Sequence, residues 1–199
     1  TGKTTPANPG VLGLVRTADG KPTLDSQGMP YTIIGFGTGE NRHQGGRTTP
    51  LTDAVVAADD YHQQAVVRTR AGLSVEIDNT DAEGRVVLCD ALSYAAEQRP
   101  ELLLDFATLT GAARVALGPD LPALFANDET LSQAILAAGR ERMDPLWPMP
   151  LWRPYRAMFE SGIADFSNSS STRHAGAITA ALYLERFVPE TQPWAHVDV

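Results

Sequence analysis

Asn79-Thr80-Asp81-Ala82-Glu83-Gly84-Arg85 sets two carboxylates two residues apart, with a guanidinium two residues further on behind a glycine. Before it runs an alternating strand-like stretch with Leu73, Val75 and Ile77. After it runs a helix-like stretch with Leu88, Ala91, Leu92, Ala95 and Ala96. Carboxylates presented together at the end of a strand are what a hard divalent cation needs, and a neighbouring arginine suits an anion held over such a site. The heptapeptide therefore points to a metal-dependent hydrolase. An Asp-Ala-Glu-Gly cluster is also ordinary turn and helix-start chemistry, with acidic side chains favoured near a helix N-terminus. The motif alone leaves both readings open.

The surrounding chain falls into two dissimilar pieces. Residues 1–70 carry ten of the seventeen glycines and five of the fourteen prolines. Short strand-like runs at 11–15 and 31–36 are separated there by Asp19-Gly20, Gly37 to Gly39 and Gly45-Gly46, which read as turns. Residues 71–199 alternate strand candidates (73–78, 101–107, 122–126, 194–199) with helix candidates (84–98, 128–142, 176–187). That alternation predicts a sheet flanked by helices. Pro100 closes one helix, and Asn127-Asp128 before Glu129 supplies the N-cap of the next.

Composition narrows the function classes. The net charge of −8 is uneven: residues 1–70 hold seven Lys/Arg against six Asp/Glu, and residues 71–199 hold nine against eighteen. An acidic body without a basic stripe argues against nucleic acid as a partner, and no apolar run approaches a membrane span. The single cysteine, Cys89, excludes an internal disulfide framework and a multi-cysteine zinc site. Within its helical run it reads as a buried, inert thiol. Both lysines, Lys3 and Lys21, lie in the first piece, so residues 71–199 contain none. Thr1 stands where an initiator methionine would, with no signal-peptide pattern after it, and Val199 ends the chain inside a strand candidate. The expectation is a protein without its natural N-terminus.

From Asn79 to Arg85 and on through Val86-Val87-Leu88-Cys89-Asp90-Ala91-Leu92, the second piece resembles the leucyl (cytosol) aminopeptidase family. The resemblance continues through Asp105 to Ala112, Leu146 to Trp152, Ala175 to Ala181 and Pro193 to Asp198, in the order the family shows. It implies an α/β fold: part of an aminopeptidase catalytic domain over about residues 71–199, preceded by a loop-rich, mostly β or irregular segment. It also implies a cytoplasmic, metal-dependent enzyme that releases N-terminal residues such as leucine from peptides, assembled as a homo-oligomer, a hexamer in the family. By this resemblance Asp81 and Glu83 are metal ligands for a pair of divalent ions, Mn²⁺ or Zn²⁺ with Mg²⁺ as a further candidate. Arg85 matches the arginine that holds a bicarbonate acting as general base. Thr108, Leu109, Thr110 and Gly111 correspond to the loop whose backbone touches that anion and the substrate, a segment that also reads as a helix-capping turn.

The family pattern asks for more than this chain offers. Its upstream Lys-Gly-x-x-Phe-Asp-Ser-Gly-Gly type segment, the aspartates after it and a second lysine have no counterpart here. The expected two-metal site is thus incomplete, and the chain by itself is expected to be weakly active or inactive. His196 reads as a packed core histidine, and His174 flanks the Ala175-Gly176 pair, which resembles part of the family's substrate-pocket wall, without a catalytic role. Trp147, Trp152 and Trp194 read as core or subunit-contact aromatics. The family resemblance implies that the strand ending at Val199 continues, so a cut is expected at the C-terminus as well.

Residues 1–70 have a resemblance of their own. Thr1-Gly2-Lys3, Asn8 to Arg16, Met29-Pro30-Tyr31-Thr32 and Asp59 to Arg68 are similar to an internal stretch of a bacterial alkaline phosphatase, though none of these motifs is catalytic there. His43 and His62 fall outside that family's ligand positions and read as solvated or turn histidines. The expectation is a chimera or misassembled gene product joined near Val67 to Arg70, with residues 1–50 the less ordered part. Two alternatives remain: a phosphomonoesterase remnant, and an inactive oligomer-forming subunit.

Overall fold

Two short strands, Val66–Arg68 (β3) and Ser74–Glu76 (β4), fold back on each other through Thr69 to Leu73, with Val67 opposite Val75. The computed structural model describes residues 62–199 and, ahead of them, the backbone of Gly13–Leu14 (β1) and Thr32–Gly35 (β2). The hairpin turn passes through Gly72 at φ 82, a left-handed conformation that glycine adopts without a Cβ penalty. The boundary expected near residue 70 therefore lies inside a closed hairpin, and Arg70 is further tied to Glu97 by a bidentate ion pair at 2.8 Å. His62 is exposed beside this hairpin, as expected. His43, the phosphatase-like motifs before Asp59 and the expected disorder of residues 1–50 lie outside the residues described with side chains.

The chain then builds Glu83–Glu97 (α1), Leu103–Ala107 (β5), Gly111–Leu117 (α2), Ala123–Ala126 (β6), Glu129–Glu141 (α3), Trp147–Pro148 (β7), Phe166–Ser167 (β8), Gly176–Glu185 (α4) and Trp194–Asp198 (β9). Two sheets result. One is ordered β1-β2-β5-β9-β6-β7, with β5 parallel to β2 and β9 and with β6 antiparallel to β9. The other is ordered β3-β4-β8, with β4 and β8 parallel. The mixed α/β architecture predicted from the alternating pattern is present.

Local chemistry accounts for most of these elements. In α1 the buried side chains Val86, Leu88, Cys89, Leu92, Ala95 and Ala96 recur at three- and four-residue steps and face the core. Asp128 caps α3 by accepting a hydrogen bond from the Leu131 amide at 2.7 Å, as the sequence suggested. The α4 helix differs: Ala177 and every residue from Thr179 to Glu185 are buried, so it runs through the interior and shows no polar face. The main cluster joins Val75, Leu88, Leu92, Leu103, Phe159, Phe166, Tyr183, Leu184 and Trp194, and so glues the two sheets through α1 and α4. Trp194 is a core residue, as expected. Trp147 and Trp152 are 54% and 55% exposed in the single chain, which leaves them the subunit-contact half of that expectation.

One polar group sits deep in the larger sheet. Asp105 and His196 are directly opposite on β5 and β9. The Asp105 carboxylate accepts from His196 Nδ1 at 2.5 Å and from Trp194 Nε1 at 2.7 Å. All three side chains are buried, and His196 stacks between Phe125 and Trp194. His196 is the packed core histidine that the sequence predicted. Burial acts against its charged form, but the Asp105 carboxylate and, more weakly, Asp198 outweigh it, so its pKa is raised. A group whose folded pKa lies above its unfolded value contributes stability that is fully present below the unfolded pKa, about 6.5 for histidine. That contribution is lost as pH rises through the folded value. Urea unfolding should show stability falling as pH climbs above about 6.5, and His196→Gln should flatten the slope. A wild-type profile as flat as that of the variant would refute the linkage.

Candidate functional site

The heptapeptide forms the hinge that its sequence suggested. After β4, Asn79 caps a single 3₁₀ turn at Thr80–Ala82 by accepting from the Asp81 amide at 3.0 Å, and Glu83 opens α1 directly behind it. Ala82 is buried, which pins the turn and leaves Asp81 exposed and Glu83, Gly84 and Arg85 half-buried. Arg85 donates from Nη1 to the backbone carbonyl of Asn168 at 3.0 Å, and its guanidinium lies 6.0 Å from the Tyr183 ring centroid.

On the other side stands the segment after β5. Leu109 and Thr110 donate their backbone N–H groups to one oxygen of Asp198, at 2.9 and 3.1 Å, and the Thr110 hydroxyl donates to the other at 2.6 Å. Thr110 Oγ1 also accepts from the Ala113 amide, capping α2. The helix-capping reading of this segment is therefore correct for Thr110. Its carboxylate anchor, Asp198, is buried at the end of β9, where Ala107 is its cross-strand neighbour.

These two walls enclose a cleft of about 230 Å³ lined by Asp81, Ala82, Glu83, Gly84, Arg85, Leu88, Ala107, Thr108 and Leu109. Both motifs open from the carboxyl ends of strands, where α/β sheets hold their ligands. Five of the seven residues singled out in the sequence meet here. Thr110 and Gly111 follow directly behind the wall, the former turned into Asp198 and the latter starting α2. An added Cβ on Gly84 would lie 4.0 Å from Leu109 Cδ1, in ordinary van der Waals contact with the opposite wall.

Asp81 and Glu83 suit a hard cation in kind, being anionic oxygen donors at one cleft mouth. They do not suit it in number. Among the described residues no group of three His, Cys, Asp or Glu side chains is placed to share a metal ion. Cys89 takes no part: it is buried, donates to the Val86 carbonyl at 3.0 Å, and its pKa is driven far upward by burial and then by Asp90. His174 is exposed.

Sequence reasoning missed two residues that the geometry makes central, Asp198 and Asn168. Asn168 is fully buried at the end of β8 and holds Asp78 and Asn79 through its side-chain amide. Its only local signal is a polar residue two positions after the apolar Phe166 in a serine-rich turn. Asp198 lies two residues beyond His196 and four beyond Trp194, a period-two spacing that puts all three on one side of a strand.

Comparison with known proteins covers most of the chain. Residues 46–199 match the sequence profile described as "Cytosol aminopeptidase family, catalytic domain". A protein named probable cytosol aminopeptidase from Roseiflexus castenholzii is 49% identical over 139 residues, 70% of this chain and 28% of that protein. One of the same name from Syntrophobacter fumaroxidans is 43% identical over 161 residues, 81% of this chain and 32% of that protein. The chain thus spans about a third of the length of these curated relatives. Among solved structures, the cytosol aminopeptidase of Coxiella burnetii superposes with a TM-score of 0.68 at 56% identity, covering 72% of this chain and 31% of that one. A variant of tomato leucine aminopeptidase gives 0.69 at 40% identity, over 72% and 28%.

Proposed function

The chain belongs to the cytosol aminopeptidase family, and from that premise we propose that it carries part of the active site of a metal-dependent aminopeptidase that releases N-terminal residues such as leucine from peptides. The observation that carries this reading is the meeting of Asp81, Glu83 and Arg85 with Thr108 and Leu109 around one cleft. In this reading Asp81 and Glu83 would hold divalent ions, Mn²⁺ or Zn²⁺ with Mg²⁺ as a further candidate. Such ions, when bound, supply Lewis-acid polarisation of the carbonyl and acidification of a water. Arg85, steadied by the Asn168 carbonyl and the Tyr183 ring, would hold bicarbonate as the general base, since a planar guanidinium matches a carboxylate-like anion. Leu109 and Thr108 would form the wall against which the substrate lies, fixed in place by the hold of Asp198 on Leu109 and Thr110.

Two carboxylates do not complete a two-ion shell. The remaining ligands and the transition-state lysine of the family have no counterpart in residues 71–199, which contain no lysine. We therefore assign the 199-residue chain alone little or no peptidase activity. Homo-oligomeric assembly and a cytoplasmic setting belong to the same proposal, the second of them in keeping with the name cytosol aminopeptidase that the relatives carry. Among the described residues no helix is long and apolar enough to cross a membrane.

The test replaces the matching segment of the Coxiella burnetii enzyme with residues 71–199 and assays leucine p-nitroanilide hydrolysis with added Mn²⁺ and bicarbonate, alongside the 199-residue chain. The graft is expected to be active and the chain alone to stay at the blank rate. A folded, metal-loaded graft without activity would overturn the assignment of the cleft, and full activity of the chain alone would overturn its incompleteness.

A further inference from the structure

We propose that Asn168 is the positioning residue of this cleft, fixing both the carboxylate-bearing turn and the guanidinium from a single buried point. The inference rests on reading Asp81 and Glu83 as metal ligands. Asn168 is fully buried, and its side chain makes three hydrogen bonds to the hinge. Oδ1 accepts from the backbone N–H groups of Asp78 at 3.0 Å and Asn79 at 3.1 Å, and Nδ2 donates to the Asn79 carbonyl at 2.7 Å. Its own backbone donates to the Glu76 carbonyl at 2.8 Å and accepts from Arg85 Nη1 at 3.0 Å.

The constraint passes on through short links. Asn79, held by Asn168, accepts from the Asp81 amide through its own side chain. The next residues are the 3₁₀ turn and the first turn of α1, so the directions of Asp81 and Glu83 follow from where Asn79 is fixed. The arginine is fixed from the same residue by its carbonyl. One amino acid 89 positions from Asn79 thus sets the carboxylates and the guanidinium relative to one another.

The chemistry selects asparagine. The hinge presents two consecutive N–H donors and one carbonyl acceptor, and a primary amide offers an acceptor with two lone pairs beside a donor in one plane. A carboxylate has no proton to give the Asn79 carbonyl. An apolar side chain would take the acceptor away from two consecutive N–H groups and leave the Asn79 carbonyl with the Ala82 amide alone. Supporting residues of this kind typically change metal affinity by about 10- to 100-fold when removed.

The experiment titrates the ¹⁵N-labelled 199-residue protein with Mn²⁺ and follows paramagnetic broadening of the amide signals of Asp81 to Arg85, which registers weak occupancy without any turnover. Asn168→Ala is expected to need about 10-fold more Mn²⁺, or beyond, for half-broadening. Asn127→Ala is the structural control. It removes another amide clamp, Nδ2 to the Gln192 carbonyl and Oδ1 from the Trp194 amide, outside the cleft lining, and is expected to titrate as wild type. If Asn168→Ala does not give a dispersed spectrum, Asn168→Ser, whose hydroxyl stands at the Cγ position and falls one bond short of the hinge, keeps a polar group at the site and carries the same expectation. Folded Asn168 variants broadened at wild-type Mn²⁺ concentrations, or a control weakened as much as they are, would overturn the positioning role. A wild-type protein with no broadening centred on Asp81 to Arg85 would instead remove the metal-ligand reading, and the proposal with it.

Discussion

Asp105→Ala is expected to cost about 4 kcal/mol of folding stability, enough to bring a domain of ordinary stability close to unfolding. The reason lies in what one carboxylate satisfies. Asp105 accepts from Trp194 Nε1 and from His196 Nδ1 in a region where all three side chains are buried. Hydrogen bonds to a charged group contribute about 1.5–3 kcal/mol each, and a buried donor left unpaired incurs its full desolvation penalty. His196 Nε2 is already buried without a partner, so the ring has no second bond to fall back on. Asp105→Asn should lose less, since it keeps an acceptor of the same shape. Urea unfolding followed by tryptophan fluorescence checks both variants. A loss below about 1 kcal/mol for the alanine variant, the size of an average substitution, would refute the account.

Asp81→Asn combined with Glu83→Gln in the grafted enzyme is expected to lower turnover by about a thousandfold or more, equivalent to about 4 kcal/mol of transition-state stabilisation. Each amide keeps the volume and a neutral oxygen but loses the anionic charge that a hard cation requires. The effect on folding should be small. Asp81 is exposed and Glu83 half-buried, and the cap on the turn comes from Asn79. Metal content of the purified variant and its melting temperature separate the two effects. A variant that retains turnover within about tenfold of the parent would take both residues out of the site.

Where function and local periodicity coincide, the sequence was readable. The α1 stripe, the Asp128 cap and the strand–helix hinge at residues 79–85 are short-range patterns, and each stands where the sequence placed it. The meeting of Asp81, Glu83 and Arg85 with Thr108 and Leu109 was legible only through the family resemblance, because nothing local says that the ends of β4 and β5 face one another. Asn168 and Asp198 were illegible for a related reason. Each acts on backbone groups 88 to 90 residues away, and a side chain that bonds distant main chain leaves no spacing to detect. The α2 helix escaped because seven residues with only Ala113 buried carry no apolar stripe. The burial of α4 on all sides likewise hid which neighbours it would have.

The two walls of the cleft ride on different sheets: the carboxylates follow β4 of the three-stranded sheet, and the opposing loop follows β5 of the larger one. The gap between them is set by the thickness of what lies between the sheets, chiefly Leu88, Leu103, Tyr183 and Trp194. Exchanging one apolar side chain for another in that layer would move the walls apart or together while leaving every motif residue in place. Under the proposed function, selection then has a dial for substrate size that is separate from the chemistry, and two family members could differ in preference while sharing an identical heptapeptide.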